Sequence, residues 1–296
     1  MSVSDEDLPN KVIRLGLACN EKCLFCNVPP DCHEISGEEY ARESILKSKK
    51  GSCVSLSGGE PVLYSFLPDI IKTAAARGVG TELQTNAVLL SDPAKVRILA
   101  EAGLNQAFVS LHSHIARVHD FLTGLEGSWE KGVAGIKNLR DAGIYVSINT
   151  VLTSVNYSGI PDFIVFIARR LGIRLLSLSV VQPRKRAFKN KALVPDYSKL
   201  DKPVRLAIKV AEQEGLRLIN PICGLPLCIG GWETCPEQCM EYVQAKFGQP
   251  FTAGKIKPDC CRQCAASGFC GGIWDEYNLL RGSSALRPFK TFPTEK

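Results

Sequence analysis

The groups in this chain with most capacity for chemistry are its thirteen cysteines, which fall into two sets. Five run from Cys19 to Cys53, eight from Cys223 to Cys270, and none lies between. Residues 1–10 are acidic and polar, with no apolar signal-peptide stretch. A reducing compartment follows, where thiols bind metals rather than form a disulfide framework. Cys19, Cys23 and Cys26 have the spacing C-x3-C-x2-C, directly after the alternating run 12–18. Three thiolates leave a coordination position open where a structural zinc takes four ligands. Thiolates select soft centres, iron–sulfur clusters among them. A zinc loop borrowing Cys32 or Cys53 as its fourth ligand is the alternative. In the second set, Cys261-x2-Cys264-x5-Cys270 forms a compact ligand nest that upstream cysteines can complete, with a zinc site as the alternative.

Ser57-Gly58-Gly59-Glu60-Pro61 is the second chemical signal. Two glycines let a backbone approach a ligand closely, and the carboxylate beside them can accept from an ammonium. Ser110 and His112 stand in Val109-Ser110-Leu111-His112-Ser113, followed by His114 and His119-Asp120. An imidazole titrating near neutrality suits acid or base work; simple packing or a bond to a backbone carbonyl is the alternative for His112.

Cys19-x3-Cys23-Leu24-Phe25-Cys26, with its aromatic residue before the third cysteine, resembles the signature of the radical S-adenosylmethionine (SAM) enzymes. The resemblance implies that Cys19, Cys23 and Cys26 hold a [4Fe–4S] cluster whose fourth iron is chelated by SAM. The turn Gly58-Gly59-Glu60 matches the motif that binds the methionyl amino group in that family, and Ser110 matches the residue that bonds the SAM ribose. Asn86 and Gln84 at the end of strand three, Asn149 and Asn156 are further contacts for SAM or substrate, and 180–183 would lie near the adenine. His112 is the candidate catalytic residue. The segments 121–124 and 127–129 are architectural. The C-terminal cysteines resemble the SPASM/Twitch extension, which holds auxiliary [4Fe–4S] clusters. A full SPASM pattern has a cysteine four residues past Cys270, where this chain has Trp274, and a further one later, so one auxiliary cluster is expected. Cys228, presented by the rigid Pro226-Leu227, joins Cys261, Cys264 and Cys270 as the preferred ligand set; Cys223, Cys235, Cys239 and Cys260 are alternates.

These groups need elements to position them. Periodicity and breakers predict helices at 38–50, 66–77, 92–102 with Ser91 as N-cap, 129–142, 160–171 and 200–214. Strands are predicted at 52–57, 80–85, 106–111, 144–152 and 173–181, after the first at 12–18. Gly78, Gly103, Gly143, Gly172 and Gly215 sit where helices should stop. Alternation of six strands and six helices indicates parallel βαβ units, and each cysteine or polar cluster falls at the C-terminal end of its strand, where such folds place function. The fold class expected is α/β, a partial (β/α)6 TIM-type barrel with a small Cys-rich auxiliary-cluster domain. The core is expected over 1–220 and the appendage over 221–296.

Hydrophobic content of 45% and charged content of 22% describe an ordinary globular chain, and no apolar run approaches a membrane span. A cytoplasmic location is expected. The net charge of +6 is modest, with basic clusters at 184–186 and 189–191. No recognised nucleic-acid module accompanies them, so nucleic acid is not an expected partner. The resemblance implies reductive cleavage of SAM to a 5′-deoxyadenosyl radical, an external electron donor such as flavodoxin or ferredoxin, and a peptide or protein substrate that is oxidised, crosslinked or epimerised. Small-molecule dehydrogenation or cofactor maturation is the runner-up, and a non-catalytic iron–sulfur electron-transfer protein is a third reading.

Overall fold

The computed structural model describes residues 11–28, 37–250 and 253–292. The chain divides into two compact units, Pro9–Asn149 and Thr150–Lys296. The boundary expected at 220 falls inside the second.

In the first unit β1 (Lys11–Arg14), β2 (Cys53–Ser57), β3 (Gly80–Thr85), β4 (Gln106–Ser110) and the start of β5 (Tyr145–Leu152) pair in sequence order, all parallel. Helices α1 (Glu38–Lys47), α2 (Leu67–Ala76), α3 (Pro93–Glu101), α4 (Ala116–Thr123) and α5 (Ser128–Asp141) fill the connections. The register sets Arg14 beside Ser57, Thr85 beside Val109 and Ser110 beside Asn149. Parallel pairing therefore delivers the cysteine loop, the glycine turn, Asn86 and Ser110 at one end of the sheet. β2 is buried from Val54 onward, and α2 turns Leu67, Ile70, Ile71 and Ala74 inward at helical spacing.

The α/β class and the alternation of strands with helices are as expected. Gly78 and Gly143, predicted helix stops, take φ of +67° and +77°, the left-handed region open to glycine. The cap of α3 lies one residue later than predicted: Asp92, not Ser91, accepts from Ala94 N–H at 2.9 Å, because Pro93 occupies the first helical position. The strand predicted over 12–18 ends at Arg14, since 15–18 leaves the sheet to run beside the glycine turn.

The second unit begins with the end of β5 and continues with α6 (Ile160–Arg170), β6 (Leu175–Val180), α7 (Lys185–Lys189), α8 (Tyr197–Gln213) and β7 (Arg217–Ile219). β6 and β7 pair in parallel. Then come α9 (Met240–Lys246), the antiparallel pair β8 (Lys255–Ile256) and β9 (Ile273–Trp274), and α10 (Asp275–Arg281). Tyr277 of α10 stacks on Tyr197 of α8 with ring centroids 3.7 Å apart and its hydroxyl accepts from Tyr197 N–H at 2.9 Å. Among the described residues no helix is long and apolar enough to cross a membrane.

Candidate active site and auxiliary cysteine pocket

In the first unit the chain from Leu15 to Ala18 continues alongside the glycine turn. Leu15 N–H donates to Ser57, Gly59 N–H to Gly16 and Glu60 N–H to Ala18, at 2.8–2.9 Å. This contact explains the glycines. A β-carbon on Gly58 would overlap the Gly16 carbonyl oxygen, and one on Gly59 the Ala18 carbonyl oxygen. Tyr64 completes the clamp by filling the space over Gly16 and accepting from Ala18 N–H at 2.9 Å. The turn is thereby fixed against the residues that lead into Cys19.

Glu60 is 1% exposed. One carboxylate oxygen accepts from Thr85 Oγ1 at 2.7 Å and Val62 N–H at 3.1 Å, the other from Asn86 N–H at 2.8 Å. Burial raises its pKa against the lowering effect of these three donors. Asn86 then reaches the cysteine loop: Nδ2 donates to Asn20 Oδ1 at 2.9 Å and lies 4.0 Å from Cys19 Sγ, while Oδ1 accepts from Val88 N–H at 3.0 Å. Ala87 follows with φ of +57°, unusual for a residue with a β-carbon.

The cysteine loop is held from its other side by α4. Lys22 N–H donates to Thr123 and Leu24 N–H to Leu122, at 2.8 and 2.9 Å. Cys19 is exposed, and Cys23 and Cys26 are half-buried. Glu21 N–H donates to Cys19 Sγ at 3.5 Å, and Cys23 Sγ approaches the Glu21 carboxylate at 3.3 Å. Burial pushes Glu21 up to about 8.

His112 is 3% exposed. Its ring meets Phe25 edge-on at 5.0 Å and stacks on His119 at 5.5 Å, and its backbone N–H donates to His119 Nδ1 at 3.1 Å. Burial holds His112 well below its ordinary value and His119 near 4, so both rings are neutral at pH 7. Asp120 beside them caps α5, accepting from Gly127 N–H, Ser128 Oγ and Trp129 N–H at 2.8–3.0 Å. The segments 121–124 and 127–129 are joined beside it by a hydrogen bond of 2.7 Å between Thr123 Oγ1 and Ser128 Oγ. Ser110 and Asn149 are register neighbours at the ends of β4 and within β5; Gln84 is on β3. In the second unit, Asn156 is committed to the turn after β5, accepting from Thr153 N–H at 2.7 Å and donating to Val151. Val180 and Val181 are fixed by bonds to Cys223 and Leu152.

Sequence reasoning missed Asn20 and Tyr64 and placed Thr85 only as a polar residue at the end of its strand; the three tie the loop, the turn and β3 together. Cys53 begins β2, four residues before the end that meets the cysteine loop. At about 3.3 Å per residue that is roughly 13 Å, too far to complete a metal site with Cys19. Cys32 lies outside the described residues.

In the second unit Cys228, Cys261, Cys264 and Cys270 line one pocket, sheathed by Pro226, Leu227, Ala266, Leu286, Pro288 and Phe289. Backbone amides are aimed at the sulfurs. Phe289 N–H donates to Cys264 and Gly272 N–H to Cys270, each at 3.4 Å. Arg287 and Leu227 amides serve Cys228 and Cys270. Cys223 instead donates to Ser179 Oγ at 3.2 Å and Cys239 accepts from Asn220 at 3.6 Å.

Among the described residues no three His, Cys, Asp or Glu side chains converge on a point that one metal ion could occupy. Thiols gathered in one loop or one pocket and served by backbone amide donors suit an iron–sulfur cluster, whose sulfur ligands accept such bonds. Both sets fit.

The model of the Radical SAM superfamily matches residues 13–167, more than half of the chain. The PqqA peptide cyclase of Gluconobacter oxydans is 26% identical over 279 residues, which is 90% of this chain and 76% of that protein. The AdoMet-dependent heme synthase of Oleidesulfovibrio alaskensis is 26% identical over 175 residues, 57% of this chain, and the match spans only 45% of that relative. Among solved structures, anSMEcpe with bound AdoMet and Kp18Cys peptide shares the fold, with a TM-score of 0.60 and 14% identity over 88% of this chain and 71% of that one. With the cysteine loop and glycine turn already joined in one unit, the match to the family model leads to one conclusion: the chain belongs to the radical SAM superfamily.

Proposed function

We propose that the chain is a radical SAM enzyme that modifies a peptide or protein by oxidation, crosslinking or epimerisation. Cys19, Cys23 and Cys26 would hold the catalytic [4Fe–4S] cluster, and Gly58, Gly59, Glu60, Asn86, Ser110 and Asn149 would hold SAM. When bound, the cluster supplies one-electron reductive cleavage of SAM to methionine and a 5′-deoxyadenosyl radical, which abstracts a substrate hydrogen. The observation that carries this reading is Asn86, whose backbone N–H bonds Glu60 of the glycine turn while its side chain bonds Asn20 of the cysteine loop.

The chain's own residues orient and exclude. Glu60 fixes the turn and its backbone, since its carboxylate already accepts three bonds from its own chain. His112 is buried against Phe25 and His119; of acid or base work and packing, we assign it packing, as the residue that positions Phe25 and the loop that carries Cys26. Cys228, Cys261, Cys264 and Cys270 would hold one auxiliary [4Fe–4S] cluster, in an appendage over 221–296 like the SPASM/Twitch extension. An external donor such as flavodoxin or ferredoxin and a cytoplasmic location complete the proposal.

Support for a peptide substrate comes from the PqqA peptide cyclase and from the peptide bound to anSMEcpe. The heme synthase relative favours small-molecule chemistry as the second reading. The test is anaerobic reconstitution followed by measurement of 5′-deoxyadenosine from SAM under a strong reductant, with and without candidate peptides. Wild type should produce it and the Cys19→Ala, Cys23→Ala, Cys26→Ala triple variant should not. Stimulation by a peptide that is itself altered in mass supports the substrate class. A fully iron-loaded protein that never cleaves SAM would leave the electron-transfer reading.

A further inference from the structure

Beside the auxiliary pocket the second unit buries an ion pair that radical chemistry does not require. The Lys255 side chain is 1% exposed and the Glu241 side chain 8%, and Lys255 Nζ bonds Glu241 Oε1. The other carboxylate oxygen, Oε2, accepts from Gly271 N–H at 2.9 Å. Gly271 follows Cys270 directly. Next in the chain, Gly272 donates to Cys270 Sγ and lies so close to β8 that a β-carbon would overlap the Ile256 carbonyl oxygen. The Cys270 turn is thus tethered to α9 through Glu241 and packed against the strand that carries Lys255.

Trp274, four residues past Cys270, is the register partner of Lys255. Its ring has the Lys255 ammonium 5.0 Å and the Arg184 guanidinium 4.7 Å from its centroid. Arg184 is compensated by Glu276 at 2.6 Å. Buried ion pairs are a poor source of stability, because the desolvation of two charges offsets their attraction. A buried pair at this position therefore calls for another role. Charges and hydrogen bonds near cluster sulfurs set reduction potential.

We propose that Glu241 and Lys255 are the positioning and tuning pair of the auxiliary site: Glu241 fixes Cys270 through Gly271, and the balance of the two charges sets the potential of the cluster that Cys270 ligates. The proposal rests on the auxiliary-cluster reading above. Neither residue is a ligand; both act through Cys270 and its surroundings. Glu241→Gln keeps an acceptor for Gly271 but leaves the cation uncompensated, which favours the reduced cluster. Lys255→Met leaves the carboxylate uncompensated, which favours the oxidised one. Glu241→Leu removes the tether as well as the charge.

The experiment uses the Cys19→Ala, Cys23→Ala, Cys26→Ala chain, so that only the auxiliary site holds iron, and reads iron per chain and midpoint potential by EPR-monitored titration. Glu241→Gln should keep its iron with a raised midpoint, Lys255→Met should lower the midpoint, and Lys255→Arg should leave it unchanged. Glu241→Leu with Lys255→Met leaves no buried charge unpaired and should fold, with reduced iron and a midpoint near wild type. Unchanged midpoints in every loaded variant, or shifts of one sign for both single charge removals, would overturn the proposal. If the parent triple variant binds no iron at all, the auxiliary-cluster reading itself fails, and that result is distinct from a loaded site whose potential ignores both charges.

Discussion

Asn86 uses both ends of its amide within a few ångströms of the proposed cluster ligands, donating to Asn20 and accepting from Val88. Asn86→Ala leaves Asn20 Oδ1 and Val88 N–H without these bonds at a buried site. A loss of about 1–3 kcal/mol in urea unfolding is expected, together with iron affinity weakened on the order of tenfold, as for other supporting residues around metal ligands. Iron retained after chelator challenge checks the second effect. The histidine pair yields a pH prediction. His119 titrates near 4 in the folded chain against 6.5 ordinarily, and burial lowers His112 as well. Between those values the unfolded chain binds more protons than the folded one, so stability is fully present above about pH 6.5 and is lost as pH falls toward 4. His119 alone accounts for about 3 kcal/mol of that loss. His119→Asn, which can still accept the His112 N–H, should flatten the dependence of unfolding free energy on pH by up to one proton. An unchanged slope would show that the stack does not exclude protons.

At the scale of elements, the glycine turn works because two backbones touch. Gly59→Ala places a methyl group on the Ala18 carbonyl oxygen, so the turn and the approach to Cys19 must part. Gly143→Ala is the control: φ is +77° but open space surrounds the new β-carbon. The control should lose about 1 kcal/mol from strain alone. Gly59→Ala should lose 3 kcal/mol or more, on the order of the larger steric effects, and fail to retain iron at Cys19. Paired thermal melts and iron assays separate the two. Much of this frame was legible in advance. Strand 80–85 and the helix beginning at 160 follow from alternation and from glycine and proline punctuation. Cys19, Cys23, Cys26 and the glycine turn announced themselves by spacing. The bonds joining them did not, because Tyr64 meets Ala18 across 46 residues, Thr85 meets Glu60 across 25, and Asn86 meets Asn20 across 66. Contacts made by folding leave no periodic trace. β7, of three residues, and the two-residue strands β8 and β9 were missed for a related reason: elements this short carry too few residues for a pattern, and their packing around cysteines decides them.

For the whole molecule, the division at Asn149 and Thr150 has a consequence for the proposed clusters. The proposed ligands of the first set, with Asn20, Asn86, Leu122 and Thr123 that bond within or onto its loop, belong to Pro9–Asn149; the proposed ligands of the second belong to Thr150–Lys296. Two sites whose described supporting contacts share no residue should load independently. The wild-type chain should take up about eight irons, four per [4Fe–4S] cluster. The Cys19→Ala, Cys23→Ala, Cys26→Ala variant should keep about four, and Cys261→Ala with Cys264→Ala should keep the other four, so that the two losses sum to the whole. SAM cleavage should vanish in the first variant, whose cysteine set is joined through Asn86 to the turn proposed to hold SAM, and should persist in the second. Iron and labile sulfide per chain, measured with 5′-deoxyadenosine on the same preparations, give the answer. If either variant empties both sites, the ligand sets are wrongly assigned or a cysteine is shared. If the second variant loses no iron, the pocket lined by Cys228, Cys261, Cys264 and Cys270 holds no cluster, and one of the alternates, Cys223, Cys235, Cys239 or Cys260, becomes the place to look.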